Sequence, residues 1–244
     1  MRPPIFCTFK WAPRNGYRTT FTAEHVLILR NMIARNYRKP HRFVCFTDDA
    51  TGLGEIETVP LWKEWGDIIS PSGRHNPSCY RRLRLFAPDA HELLGAEPGD
   101  AVVNMDLDMV IVRDIESLFD RPEDIIIWGE SDYESQWYNG SLWYLRLGTR
   151  PQVYTQFDPK VSPKLAHIKS GGRGSDQGWF THILRPREAT WGREDGVYSY
   201  RKHISQPKKS GALPDDARIV AFHGKVKQDS PEASCVPWIR EHYR

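Results

Sequence analysis

The stretch Val102-Val103-Asn104-Met105-Asp106-Leu107-Asp108-Met109-Val110-Ile111-Val112 sets two acids two residues apart in an otherwise apolar run. Such a run, rich in valine and isoleucine, reads as a central strand of an α/β sheet, buried on both faces. Side chains two apart on a strand share a face, so Asp106 and Asp108 are expected to grip one cation together. An unpaired buried carboxylate costs several kcal/mol and two like charges side by side cost more, so a divalent metal is the natural compensation. The flanking valines, isoleucine and methionines argue against a solvated loop.

Outward from this strand the same alternation continues. Residues 5–9 read as a first strand, and Ala23, Val26, Leu27, Ile33, Ala34 and Tyr37 follow helical spacing behind a Thr22 cap. Residues 42–47 form a second strand, 55–59 a short one, and 80–94 a helix carrying Leu83, Phe86, Ala87 and Leu94. Beyond the central strand the pattern predicts strands at 125–128 and 138–147, a helix over 176–184 and a last strand at 218–222. Strands alternating with helices predict an α/β fold with a mixed central sheet flanked by helices. There is no internal repeat and no visible linker, so 244 residues fit a single domain.

Composition narrows the function classes. A net charge of +3 does not by itself announce a nucleic-acid binder. No apolar run approaches the roughly 18 residues a membrane span needs. Met1-Arg2-Pro3-Pro4-Ile5-Phe6 enters a strand without the apolar segment of a signal peptide, so the expected location is the cytoplasm. Cys7, Cys45, Cys79 and Cys235 show no Cys-x-x-Cys spacing, which suggests neither a zinc site nor a disulfide framework.

Two further constellations carry chemistry. In Phe222-His223-Gly224-Lys225-Val226-Lys227 a strand empties into a histidine, a glycine and two lysines. Glycine lets the backbone approach a phosphate, lysines neutralise it, and an imidazole can be a third metal ligand. In Gly174-Ser175-Asp176-Gln177-Gly178-Trp179 a serine can cap a helix that opens with an acid and an amide, a pair able to hydrogen-bond sugar hydroxyls.

Asp106-Leu107-Asp108, Tyr138-Asn139-Gly140-Ser141, Ser175-Asp176-Gln177 and Phe222-His223-Gly224-Lys225-Val226-Lys227 occur in the order found in glycogenin-like and lipopolysaccharide galactosyltransferase-like enzymes. The chain resembles the small phage or bacterial glycosyltransferases of that GT-A group over most of residues 4–227. Thr8-Phe9-Lys10-Trp11 with Tyr17, Phe43-Val44-Cys45-Phe46-Thr47-Asp48 and Cys79-Tyr80-Arg81-Arg82-Leu83 resemble its donor-binding half. The resemblance implies a single GT-A (Rossmann-like) domain over 1–244, with a nucleotide-binding half of about 1–112 and an acceptor and sugar half of about 113–244.

It further implies that Asp106, Asp108 and His223 hold Mn²⁺ or Mg²⁺ against the diphosphate of a nucleotide sugar, expected to be UDP-linked. Gly224 with Lys225 or Lys227 would contact phosphate. Arg82, Asn139, Asp176 and Gln177 would face the donor sugar, with Gln177 under its ring, and Thr8, Lys10, Trp11 and Tyr17 would surround base and ribose. The reaction implied is hexosyl or pentosyl transfer with retention, while Glu130 and Asp132 stand as candidate bases for inversion. The chain departs from the group at Lys227-Gln228-Asp229, where relatives read Lys-Pro-Trp.

A metal-dependent nuclease or phosphohydrolase could also use two aspartates and a histidine, but it would leave Ser175-Asp176-Gln177 and Tyr138-Asn139-Gly140 without a purpose. A catalytically dead binding module is the other rival, and the intact Asp106, Asp108 and His223 argue against it. Acceptors of several kinds fit: protein, glycan, small alcohol or hydroxymethylated pyrimidine in phage DNA. Segments 62–77, 158–174 and 201–216 read as irregular rims carrying Lys63, Arg74, Lys160, Lys164, Lys169, Arg173, Arg201, Lys202, Lys208 and Lys209. Such a rim would attract a polyanion such as DNA, with Trp62 or Trp65 stacking on a withdrawn base and the host cytoplasm as location if a phage encodes the chain.

Overall fold

The computed structural model describes residues 2–12, 20–71, 79–129, 138–171, 175–185, 187–205 and 211–244. Tyr17, Arg74, Glu130, Asp132, Arg173, Lys208 and Lys209 lie outside them. Ten strands are described: β1 (Ile5–Lys10), β2 (Arg42–Thr47), β3 (Glu57–Pro60), β4 (Ala101–Met105), β5 (Met109–Ile111), β6 (Ile125–Gly129), β7 (Tyr138–Arg146), β8 (Ala189–Trp191), β9 (Val197–Ser199) and β10 (Ile219–Ala221). The described α-helices are α1 (Ala23–Asn36), α2 (Glu116–Phe119), α3 (Gln152–Thr155), α4 (Ser162–Lys169), α5 (Ser175–Leu184), α6 (Pro231–Ser234) and α7 (Pro237–His242).

Seven strands form the main sheet in the order β3-β2-β1-β4-β7-β6-β8, and β5-β10-β9 form a second, smaller sheet. β3, β2, β1 and β4 run parallel, whereas β7 runs antiparallel to both β4 and β6. This is the mixed, helix-flanked α/β sheet the pattern predicts. β1 feeds β2 on one side while β4 lies on its other side, so the strand order reverses at β1. In open α/β sheets ligands bind outside the carboxyl ends of the strands at such a point. Because β7 is antiparallel, its first residues, Tyr138 to Ser141, reach the same edge as the carboxyl end of β4.

The apolar strands divide their side chains between two cores, as period-two alternation requires. Phe6, Cys45, Val103 and Met105 point to the face covered by α1 and the small sheet. Ile5, Cys7, Val44, Phe46 and Val102 point to the face covered by Leu83, Phe86, Trp179 and Phe180. On α1, Val26, Leu29, Met32 and Ile33 form the buried stripe, while Leu27 is half-buried and Ala34 exposed. Cys7, Cys45, Cys79 and Cys235 are free, and burial pushes the Cys45 thiol up to about 12.

Three expectations are corrected. The helix over 80–94 is two stretches of 3₁₀-helix, Cys79–Phe86 and Ala90–Leu94, with Pro88 between them unable to continue an α-helical ladder. The strand 102–112 is two strands, because the chain leaves the main sheet at Met105 and joins the small one at Met109. The irregular segments 158–174 and 201–216 contain α4 and, at Tyr200–Ile204, a π-helical turn. No helix among the described residues is long and apolar enough to cross a membrane.

Candidate active site

Asp106, Leu107 and Asp108 form the turn by which the chain changes sheets. Asp106 N donates to Ser141 O on β7 at 2.9 Å, and Phe222 N donates to Asp108 O at 2.8 Å. Gln228 Nε2 donates to Leu107 O at 3.0 Å. The argument that both carboxylates share a strand face is therefore corrected: a turn presents them, and each has its own cation.

Asp106 meets Arg82. In the first 3₁₀ segment Arg82 is buried, with Nη1 2.5 Å from Asp106 Oδ1 and Nη2 2.7 Å from Asp176 Oδ2. Gly140 lies against this bridge, where a Cβ would sit 3.0 Å from Asp176 Oδ2 and 3.2 Å from Arg82 Nη2. A side chain there would push on the ion pair, which is the physical need for glycine in Tyr138-Asn139-Gly140-Ser141. Burial disfavours the Arg82 charge, but Asp106 and Asp176 outweigh it and hold the guanidinium more firmly protonated than usual. Burial also raises Asp106, with Asp108 and Asp176 adding to the effect against Arg82, so its carboxyl is pushed up to about 6.

Asp108 meets Lys227, whose Nζ lies 2.5 Å from Oδ2 and 3.1 Å from the carbonyl oxygen of Phe222. Asp108 Oδ1 is buried with no hydrogen-bond partner among the described residues. His223 Nε2 is 2.7 Å from Ser199 Oγ at the end of β9, and its ring stands edge-on to Trp128. Lys225 is exposed, and Gly224 has φ 132°, a conformation that favours glycine. Among the described residues, no group of three or more His, Cys, Asp or Glu side chains is disposed to hold a metal ion. The carboxylate pair still suits a hard divalent cation, because an orphaned anionic oxygen is costly unless a ligand meets it.

At the start of α5, Asp176 is buried and its Oδ1 accepts from Gln177 N at 2.9 Å and Ser175 Oγ at 3.0 Å. The Ser175 hydroxyl thus serves the neighbouring carboxylate. Gln177 is half-buried, and its side-chain amide has no hydrogen-bond partner among the described residues. Asn139 is buried, its Oδ1 accepting from Ser141 N at 2.9 Å, and Asn104 Nδ2 donates to Gly140 O at 3.3 Å. The polar motif of β7 is therefore braced from beneath.

At the end of β1, Lys10 Nζ donates to Asp49 O at 2.6 Å and so ties β1 to the loop after β2. Thr8 is fully buried and its hydroxyl has no partner among the described residues. Trp11 is half-buried with the Arg81 guanidinium 5.3 Å from its ring centre. Tyr17 lies outside the described residues. Trp62 and Trp65 are half-buried, Trp62 against Phe9 and Phe46 and Trp65 against Tyr154 and Phe157. Sequence reasoning missed Ser199, which lies in a strand of three residues, and Gln228, whose fixing role has no local signature.

No protein-family model and no curated protein matches the sequence. Among solved structures the chain is similar to the galactosyltransferase LgtC in complex with donor and acceptor sugar analogues, with TM-score 0.62 and 12% identity. That match covers 96% of this chain and 93% of LgtC. An active-site variant of LgtC with glutamate in place of a glutamine matches to the same degree. The glycosyltransferase GlyE of Streptococcus pneumoniae TIGR4 matches with TM-score 0.55 and 12% identity over 99% of this chain and 63% of its own. The bifunctional glycosyltransferase WbbM matches with TM-score 0.55 and 12% identity, and the chain spans 50% of its length. The fold is thus the GT-A fold of these glycosyltransferases.

Proposed function

We propose that the chain is a metal-dependent glycosyltransferase that moves a hexosyl or pentosyl group from a nucleoside diphosphate sugar, UDP-linked, to an acceptor hydroxyl. One observation carries this reading above the fold itself. The Asp106-Leu107-Asp108 turn lies at the carboxyl edge of the sheet, with an orphaned carboxylate oxygen beside Lys227. Asp106 and Asp108, with His223 as a third donor, would hold Mn²⁺ or Mg²⁺. The ion, when bound, neutralises the charge that develops on a departing nucleoside diphosphate.

The remaining residues supply positioning. Lys227 or Lys225 would pair with the diphosphate, and Gly224 would allow its close approach. Arg82, Asp176 and Asn139 form a braced wall on which the donor sugar would rest, with Gln177 as the open amide beside it. Thr8, Lys10, Trp11 and Tyr17 would line the nucleotide side. Asp176 is tied to Arg82, and Glu130 and Asp132, the candidate bases for inversion, lie outside the described residues. The resemblance to retaining enzymes supports retention: the bond from the anomeric carbon to phosphate breaks as the bond to the acceptor oxygen forms, and the acceptor proton passes to the departing phosphate oxygen.

Gln177→Ala is expected to lower turnover at least about tenfold while changing UDP affinity by less than about twofold, because the amide would act on the sugar in the transition state. Initial rates over a panel of nucleotide sugars and calorimetric titration with UDP check this. Equal losses in both would move Gln177 to a nucleotide-binding or structural part. Cleavage of generic phosphodiesters without any sugar donor would replace the transferase reading with a phosphohydrolase or nuclease.

For the acceptor, hydroxymethylated pyrimidine in DNA is our proposal. Lys63 is exposed, as are Lys160 beside α4 and Lys164 and Lys169 on it, and α4 packs along α5, which bears Asp176 and Gln177. Phosphate contacts would then fix the strand, while the half-buried Trp62 or Trp65 would supply a ring for a withdrawn base. Lys164→Glu with Lys169→Glu should lower transfer to such DNA and flatten its salt dependence, leaving donor hydrolysis unchanged. Salt-independent transfer, or transfer only to glycans or small alcohols, would retire the DNA acceptor.

A further inference from the structure

The Lys227–Asp108 pair hides from solvent the two things a metal and a diphosphate each require. Lys227 Nζ sits 2.5 Å from Asp108 Oδ2, and the two side chains are only 14% and 10% exposed. The ammonium is delivered there by its neighbours. Gln228, itself buried, donates to Leu107 O and to the Tyr243 hydroxyl, both at 3.0 Å. Asp229 lies 3.0 Å from His25 Nε2 on α1, and Phe222 N holds Asp108 O. The stretch from Phe222 to Gln228 is thereby fastened at both ends to the turn that carries Asp108, and Asp229 is fastened to α1.

Arg82 is bound differently. It lies between two acids and cannot leave one without uncovering the other. Lys227 has one carboxylate and a flexible four-carbon stem, so it can withdraw while its backbone stays fastened. A divalent cation on Asp108 Oδ1 would stand within a few ångströms of the ammonium on Oδ2, and a single carboxylate charge cannot compensate both in a site this buried. We propose that Lys227 is a displaceable counter-ion: cation binding at Asp108 expels the ammonium, and the freed charge turns to the diphosphate of the donor. Metal and nucleoside diphosphate then bind with positive coupling, because each favours the state in which the pair is open. The proposal rests on the metal-dependent reading above.

The test compares the full-length wild type with Lys227→Gln and Lys225→Gln. Mn²⁺ affinity is read from the electron paramagnetic resonance signal of free Mn²⁺, with and without UDP, and UDP affinity by calorimetry at saturating Mn²⁺. Lys227→Gln should bind Mn²⁺ alone about tenfold more tightly and UDP about tenfold more weakly, coupling factors ordinary for linked sites. Lys225→Gln makes the same charge change from an exposed position and should leave Mn²⁺ affinity within about twofold of wild type. A loosened fold would weaken both ligands, so the opposite signs are the signature of exchange. Wild type that binds Mn²⁺ beside a Lys227→Gln variant that binds it no more tightly overturns the exchange alone. Equal gains in both variants do the same, by reducing the effect to general field. Wild type that binds no Mn²⁺ in either condition overturns the metal reading and the exchange with it.

Discussion

Replacing Asp108 by asparagine is expected to lower metal-supported turnover of a nucleotide sugar at least about a hundredfold, which at 1.36 kcal/mol per decade is about 2.7 kcal/mol of barrier. The fold should stay intact. Asp108 Oδ1 is buried with no hydrogen-bond partner among the described residues, so that oxygen is available to a ligand while Oδ2 holds Lys227. The amide oxygen of asparagine can still accept from Lys227, and the flexible lysine stem can carry the ammonium toward solvent, which limits the cost of losing the charge pair. Without the cations, the side-by-side acids of Asp-Leu-Asp would suggest a gain in stability on neutralising one of them. The structure removes that expectation, because Asp106 faces Arg82 and Asp108 faces Lys227. The melting temperature should therefore move by no more than a few degrees, and circular dichroism should be unchanged. Initial rates with Mn²⁺ and a UDP-sugar, set beside thermal unfolding, check both halves. Full activity in the variant, or wild-type turnover in excess chelator, would end the metal assignment.

That reversal marks where the sequence stops being informative. Apolar runs at 5–9, 42–47, 125–128 and 138–147 are legible as strands because burial on both faces leaves no polar alternation to misread. The run 102–112 is equally apolar, yet it is two strands in two sheets, since hydrophobicity reports burial and is silent about which sheet a residue joins. Its break falls at the acids themselves, where a turn can satisfy them. The short strands β8 and β9 are too brief to show a period. The sequence pattern misses α6 and α7, although each carries a proline in its first turn, and runs one helix through Pro88 where two 3₁₀ stretches meet.

Site residues were legible as types and illegible as partners. Asp106, Asp108, Asp176, Gln177, His223 and Lys227 stand out by motif, but the pairing of Lys227 with Asp108 joins positions 119 residues apart. Only the fold brings them together. The glycine at 140 is the clearest case: the motif names it, and the contact with Asp176 and Arg82 explains it.

Replacing Arg82 by methionine is expected to cost about 3–5 kcal/mol of stability near neutral pH, the scale for removing one partner of a buried ion pair. Methionine keeps much of the stem's volume, so the loss reports the charge. In the native protein Arg82 lies between Asp106 and Asp176 with a side chain only 5% exposed, and no other cation meets Asp106 among the described residues. Without it, the Asp106 carboxyl, already pushed up to about 6 by burial and by the neighbouring acids, rises further. A carboxyl with a raised folded-state pKa binds more protons folded than unfolded, so its contribution is most favourable at low pH and is lost as pH rises from the unfolded value of about 4 through the folded one. The variant should accordingly lie closest to wild type near pH 5 and diverge from it toward pH 8. Urea unfolding of both proteins across that range measures the difference directly. A loss below about 1 kcal/mol at pH 7.5, or one independent of pH, would mean that the two acids find other partners and that the bridge does not organise the site.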